Sequence, residues 1–332
     1  MAGAKIIAVG GVSSATMLDD IATGLAKHGY QLKRHTEAAT GTELTSADII
    51  ISRPGFAVSK SIIADTRQLR AIVSPFTGID GIDLEAATAA GIIVANGQVI
   101  ENTESMAEAT ILILLAALYD LHGTEAVLRQ NLPRPRVMNA RMLKGKTVGL
   151  IGWGQISRAV AERLSSWEAN IQASSRSRNS GSEGAVRFVG LEELLRTSDV
   201  ICVLSSLNPG SVGLLNADHL RLLKRNAVLV NTARGAIIDE AALYQVARER
   251  PDLRLALDTF TVEPLPASSP LRELPNAILT PHQIGHTQES SDALPPAAIE
   301  NIRRTLAGEL PLYICNPEIA AEWQSRWSRH PL

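Results

Sequence analysis

Three side chains of complementary chemistry follow short apolar runs in the second half of the chain. They are Arg234 in Asn231-Thr232-Ala233-Arg234-Gly235, Glu263 before Pro264, and His282 in Thr280-Pro281-His282-Gln283-Ile284-Gly285. A guanidinium binds and polarises a carbonyl or carboxylate. A histidine exchanges a proton near neutral pH, and a carboxylate beside it favours the charged form. Each also has an ordinary account, as a surface arginine, a loop glutamate or a hydrogen-bonded histidine. Their common position, just past strand-like runs, is where open α/β sheets bind ligands.

Upstream lies Gly152-Trp153-Gly154-Gln155-Ile156-Ser157, after one such run and before a helical stretch. Backbone N–H groups and a helix N-terminus in that setting receive a pyrophosphate. Ser157 stands where a third glycine or alanine is usual and is small enough for close helix–strand packing. The next run ends in Ala173-Ser174-Ser175-Arg176-Ser177-Arg178. An acidic residue about 20 positions past the glycines would accept hydrogen bonds from an adenosine ribose; here Ser175, Arg176 and Ser177 supply hydroxyls and a guanidinium instead. That set suits a 2′-phosphate, against the plainer reading of a polar surface loop.

The elements that must position these groups read as two strand–helix series. In the first hundred residues the runs are Ile6–Val9, Ile49–Ser52, Ala71–Val73 and 92–95, separated by helical stretches at 17–28, 59–66 and 84–90. The second series comprises Thr147–Ile151, 171–174, 200–204, Val228–Asn231, 255–258 and 277–280. Strands alternating with helices predict an α/β fold of two doubly wound parallel sheets. Thr103 reads as the cap of a joining helix whose aliphatic run, Ile111–Leu118, is apolar all round and so expected in a core. Residues 179–184 read as a Ser/Gly-rich loop, and a last helix is expected between Pro296 and Gly308.

The 332 residues leave room for about two domains at roughly 150 residues each. Thirty-two basic against 34 acidic residues argue against a nucleic-acid-coating protein. Cys202 and Cys315 are isolated, without metal-like spacing or a disulfide framework, which fits a reducing, cytoplasmic setting. The eight-residue aliphatic run is far short of the ~20 residues needed to span a bilayer, and the N-terminus enters a strand-like run without a leader pattern. No membrane or nucleic-acid partner is expected.

Taken in order, the motifs resemble the D-isomer-specific 2-hydroxyacid dehydrogenase family, which includes phosphoglycerate dehydrogenase and glyoxylate/hydroxypyruvate reductases. The resemblance rests on Thr77-Gly78-Ile79-Asp80 with Ile82-Asp83, Ser105–Glu108, Leu143-Lys144-Gly145-Lys146-Thr147-Val148-Gly149, the glycine turn, Asn231–Gly235, Ala256-Leu257-Asp258, Glu263-Pro264 and Thr280-Pro281-His282. It implies Rossmann-like and flavodoxin-like domains: a discontinuous outer, substrate domain of residues 1–102 plus 288–332, and a dinucleotide-binding domain of residues 103–287. It implies catalytic roles for Arg234, Glu263 and His282, and cofactor contacts at Gly152, Gly154, Gln155, Ile156, Thr232, Ala233, Arg234, Asp258 and His282. Thr77, Gly78, Ile79, Arg234 and Arg53 would meet the substrate, while His286 matches no catalytic position. No metal is implied.

The activity so implied is hydride transfer between NADP(H), with NAD(H) as the alternative dinucleotide, and C2 of a small 2-oxo acid, giving a D-2-hydroxy acid. A homodimer is the expected assembly. Glu263 argues against formate oxidation, which uses a glutamine at that position, and Thr77 against phosphite oxidation, which would place a lysine there. The competing reading from another class is a nucleotide-sensing dimeric scaffold of the corepressor type.

Overall fold

The runs Ile6–Val9, Ile49–Ser52 and Val200–Val203 are buried at every position rather than at every second one. Strands of that kind need cover on both faces, the condition met by a parallel sheet between helix layers. The computed structural model describes residues 4–9, 15–35, 44–52, 56–137 and 139–332. It divides into two units, Met1–Asn102 with Gln288–Leu332, and Thr103–Thr287.

In the first unit β1 (Ile6–Val9), β2 (Leu32–His35), β3 (Ile49–Ser52), β4 (Ala71–Val73) and β5 (Ile93–Ala95) form a parallel sheet in the order β2-β1-β3-β4-β5. Ile6, Ala8, Ile49 and Ile51 pack with Leu18, Ile21 and Leu25 of α1 (Ala15–Ala26) and with Ile302 and Leu306 near the C-terminus. On the other face Ile7, Ile50, Ile72 and Val94 meet Ile63 of α2 (Lys60–Ala64) and Ala87 of α3 (Leu84–Ala89). Asp83 caps α3 by accepting from the Ala86 N–H at 2.9 Å. The C-terminal segment is tied in by buried Asn316, which accepts from the Val94 N–H at 2.8 Å and donates to the Ile92 carbonyl at 2.9 Å. The polar run at β2 carries no strand signal in the sequence. As an edge strand paired with β1 alone, it leaves Lys33 and Arg34 exposed.

The second unit begins within α4 (Ile100–Leu118), followed by α5 (Leu121–Arg129). Its strands are β6 (Thr147–Ile151), β7 (Asn170–Ser174), β8 (Ser182–Glu183), β9 (Val186–Phe188), β10 (Val200–Val203), β11 (Val228–Asn231), β12 (Arg254–Leu257) and β13 (Ala277–Leu279). The sheet order is β13-β12-β11-β10-β6-β7-β9-β8, with only the short β8–β9 edge pair antiparallel. The chain leaves β6 toward one edge and returns at β10 toward the other, so the order reverses between these two strands. Ligands bind at such a reversal, beyond the carboxyl ends of the strands. Ile113 and Leu114 of α4 and Val160 and Leu164 of α6 (Gln155–Leu164) fill one face. Leu194 and Leu195 of α7 (Leu191–Thr197), Leu220 of α8 (Ala217–Arg221) and Leu243 and Val246 of α9 (Glu240–Glu249) fill the other.

Several local expectations are corrected. Thr103 lies inside α4, buried, and is not its cap. Residues 182–183 of the expected loop pair with Val186 and Arg187. The last long helix, α10 (Gln288–Leu306), starts well before Pro296 and runs through Pro295 and Pro296. Interior proline costs a helix about 3 kcal/mol; burial of Leu294, Pro295, Ala297 and Ala298 offsets that cost. The apolar helix α4 is not covered all round: Leu112 is 58% exposed, and α5 buries none of its residues, leaving Leu128 84% exposed. No single helix among the described residues is long and apolar enough to cross a membrane.

Both cysteines are free. Burial pushes the Cys202 thiol up to about 12 and the Cys315 thiol up to about 11. Because the thiolate is the reactive form, neither should react rapidly with Ellman's reagent at about pH 8 in the native protein. Both should titrate at once in guanidinium chloride, and a fast native thiol would contradict the burial described.

Candidate active site

The glycine turn sits at the carboxyl end of β6. Gly152 has φ +99°, and its N–H donates to the Ser174 carbonyl at 2.8 Å. A Cβ there would come within 2.8 Å of the Ser205 backbone, so the left-handed turn and the close approach both require glycine. Gly154 is the N-cap of α6, with no side-chain cap, and a Cβ on it would meet nothing within 4 Å. A helix N-terminus without a side-chain cap, with open space beside its N-cap glycine, fits a pyrophosphate. Ser157, wholly buried, closes the turn by donating to the Gly152 carbonyl at 2.9 Å. Gln155 is exposed, and its Oε1 lies 3.4 Å from the Thr103 hydroxyl; Ile156 is half-buried.

Beyond β11, Asn231 orders the next residues: its Oδ1 accepts from the Ala233 N–H at 3.1 Å and its Nδ2 donates to the Arg234 carbonyl at 3.0 Å. Half-buried Arg234 donates from Nη1 to the Ala233 carbonyl at 2.8 Å. Thr232 is buried, its hydroxyl 2.9 Å from that of Thr110 in α4. Gly235 touches the Phe260–Thr261 peptide so closely that a Cβ would overlap it. This brings the Arg234 segment against the segment that carries Glu263.

Buried Asp258, just past β12, organises the next turn. Its Oδ1 accepts from the Thr280 hydroxyl at 2.7 Å and from the Gln283 and Ile284 N–H groups at 3.1 and 3.3 Å. Its carbonyl accepts from the His282 N–H at 2.7 Å. His282 is held at φ +53°, a conformation rare for residues other than glycine. Its Nδ1 lies 2.8 Å from Glu263 Oε2, and Glu263 Oε1 accepts from the Phe260 N–H at 2.9 Å. An ionised carboxylate only accepts, so Nδ1 donates and Nε2 is the atom left for chemistry. His286 stands 6.3 Å from His282 between ring centres. Desolvation and the neighbouring His282 hold its pKa below the usual imidazole value, against a smaller opposing pull from Asp258.

At the end of β7, residues 175–178 form a closed turn in which the Ser175 and Arg178 N–H groups each donate to the other's carbonyl at 3.2 Å. Ser175 is half-buried, while Arg176 and Ser177 are exposed. Arg178 is committed elsewhere: it donates to Glu183 at 2.8 Å and to the Ser182 carbonyl at 3.0 Å, and lies over the Phe188 ring. Glu183 also accepts from Arg158 and from Trp153 Nε1. Desolvation works to raise its pKa, but hydrogen bonds from Arg158 and Trp153 and the charges of both arginines outweigh it and hold the carboxyl below its usual range.

In the first unit, the loop after β4 is shaped by Ser74, whose hydroxyl lies 2.9 and 3.0 Å from the Phe76 and Gly78 carbonyls. Asn96 donates to the Thr77 carbonyl at 2.8 Å and Asn102 to the Thr77 hydroxyl at 2.9 Å. Among the described residues the Gly78 and Ile79 N–H groups meet no acceptor. Arg53 lies outside the described residues.

The model of the D-isomer specific 2-hydroxyacid dehydrogenase NAD binding domain matches residues 111–283, just over half of the chain. The chain belongs to that family. A D-3-phosphoglycerate dehydrogenase of Methanocaldococcus jannaschii is 33% identical over 91% of this chain and 56% of its own length. The chain thus spans about half the length of the phosphoglycerate dehydrogenases it matches. A glyoxylate reductase of Thermofilum pendens is 33% identical over 76% of each chain. The crystal structure of a glyoxylate reductase from Paecilomyes thermophila superposes with a TM-score of 0.80 at 26% identity, covering 95% of this chain and 99% of that one.

Within this member of the family, the supporting residues that no sequence motif singled out are Ser74, Asn102, Thr110 and Glu183. Only Thr110 carried a signal, a hydroxyl beside the aliphatic run of a core helix. Gly235→Ala places a methyl group on fixed backbone rather than on a flexible side chain. Overpacking of this kind should destabilise the protein by about 1–3 kcal/mol and lower the urea midpoint. An unchanged midpoint would show that the two segments are not in contact.

Proposed function

We propose that this protein is an NAD(P)-dependent reductase of small 2-oxo acids, interconverting them with D-2-hydroxy acids, with glyoxylate or hydroxypyruvate as the substrate type. The observation that carries the proposal is the 2.8 Å pairing of His282 with Glu263 beyond the strand ends of the sheet that bears the glycine turn. The glyoxylate reductases among its relatives support the substrate class. The turn at Gly152, Gly154, Gln155 and Ile156 would hold the pyrophosphate, and Thr232, Ala233, Arg234, Asp258 and His282 the nicotinamide end. Bound there, a nicotinamide supplies or accepts the hydride at substrate C2.

In this reading the chain's own groups supply orientation and protons. The unpaired N–H groups of Gly78 and Ile79, with Thr77 beside them, receive the substrate carboxylate, and Arg53 is a further substrate contact. Arg234 polarises the keto oxygen and stabilises negative charge developing on it. His282 gives the proton from Nε2 during reduction and takes it back during oxidation, while Glu263 fixes the ring through Nδ1. Ser175, Arg176 and Ser177 would face the adenosine ribose with no carboxylate among them, which favours NADP(H) over NAD(H). Leu112, Tyr119, Leu121 and Leu128 are exposed apolar side chains that a second copy of the chain would cover.

The test is cofactor oxidation over a panel of glyoxylate, hydroxypyruvate, pyruvate and bulkier 2-oxo acids with each dinucleotide. Turnover of the small acids is expected, with NADPH favoured by on the order of 10- to 1000-fold in kcat/KM, the worth of one or two charge-assisted hydrogen bonds. Turnover of none of them would overturn the enzyme reading; equal use of the cofactors would remove the phosphate site alone.

Glu263 holds the ring through Nδ1 and is itself held by the Phe260 N–H. Glu263→Ala removes that hold, so kcat for reduction should fall by about 10²–10⁴-fold, the worth of a positioned proton donor. Glu263→Gln, which keeps an acceptor for Nδ1, should retain more activity, and an unchanged kcat in Glu263→Ala would separate Glu263 from the proton transfer.

A further inference from the structure

Arg176 is exposed at the tip of its turn, yet its guanidinium is anchored. Nη1 donates to Asn208 Oδ1 at 3.1 Å. Asn208 belongs to the loop after β10, whereas Arg176 follows β7, and β6 lies between those two strands in the sheet. The contact therefore joins the loops that flank the glycine turn on either side. Asn208 is itself fixed: its N–H donates to the Ser211 hydroxyl at 2.9 Å, its Nδ2 to the Ser206 carbonyl at 3.1 Å, and its Oδ1 accepts a second bond from the Gly210 N–H at 3.1 Å. Ser211 in turn donates to the Ser206 carbonyl at 2.8 Å. A Cβ at Gly210 would lie 3.4 Å from both Arg176 Nη1 and Asn208 Oδ1, so a larger side chain there would crowd the pair.

We infer that Asn208 is a positioning residue for cofactor choice, setting Arg176 in the orientation that receives a 2′-phosphate; this rests on the NADP(H) reading above. An exposed arginine otherwise loses rotamer freedom when it binds a ligand, and a side chain already held in place loses less. Asparagine suits the task because its amide oxygen orients the guanidinium without neutralising it. Among the described residues only one of the five guanidinium N–H donors is used, leaving the rest for phosphate oxygens. A carboxylate at 208 would hold the same hydrogen bond but would cancel the charge and repel a dianion.

The inference is tested by calorimetric titration of the whole protein with 2′,5′-ADP and with 5′-AMP, ligands that differ only in the 2′-phosphate. The wild type should bind 2′,5′-ADP more tightly, and Arg176→Ala should abolish the difference. Asn208→Ala should weaken 2′,5′-ADP about 3- to 10-fold, the worth of one immobilised side chain, and leave 5′-AMP unchanged. Asn208→Asp should weaken 2′,5′-ADP further. In kinetics, Asn208→Ala should raise KM for NADPH with little change in kcat and leave NADH unaffected. Equal binding of the two nucleotides by the wild type would overturn the NADP(H) reading and this inference with it. If the wild type discriminates and Asn208→Ala either matches it or weakens both ligands alike, the positioning role is overturned while the NADP(H) reading stands.

Discussion

One buried carboxylate holds together the strand ends that carry His282. Asp258 takes a hydroxyl and two backbone N–H groups on a single oxygen, and its carbonyl takes the His282 N–H. These bonds fold the chain after β13 back toward the end of β12 and keep His282 in a backbone conformation it would otherwise avoid. A buried acceptor with several donors cannot be removed cheaply, because each donor is then left without a partner. The imidazole position is thus a property of the sheet's edge, transmitted through Asp258, rather than of the loop that carries it.

From that anchor the remaining groups follow by short links. Glu263 joins the imidazole to the Phe260 backbone, Gly235 presses the Arg234 segment onto that same backbone, and Asn231 shapes the segment itself. Each link is a hydrogen bond or a close contact at a strand end, and none depends on a long side chain finding its place unaided. The three polar groups occupy loops, yet each loop is over-determined by the strand before it. Such rigid support is what proton transfer and carbonyl polarisation demand of their residues.

Much of this was legible in the sequence because it is written in strongly biased local patterns. β-branched runs such as Val228–Asn231 mark fully covered strands, and Gly152-Trp153-Gly154 between a strand and a helix marks a turn with a left-handed residue. Arg234, Glu263 and His282 stood out as polar groups just past apolar runs. The parts that stayed hidden depend on contacts between distant segments. The left-handed His282 needs Asp258, and the partner of Arg178 is a glutamate on an edge hairpin too short to show in any periodicity. β2 is polar because it is an edge, and α10 continues through two prolines because its neighbours bury it. Local propensity yields to tertiary packing at each of these places.

The turn at residues 175–178 contributes nothing to the core. It is closed by its own backbone hydrogen bonds, and its tip, Arg176 and Ser177, is exposed. Surface positions of this kind accept substitution with little change in stability. The region that would discriminate between dinucleotides is therefore separated from the region that keeps the chain folded. If residues 175 and 176 set coenzyme choice as proposed, that choice could change in one or two mutational steps without passing through an unfolded intermediate. In evolutionary terms, the tip of this turn is free to vary without disturbing Asp258, Glu263 or His282, which sit at other strand ends of the same sheet.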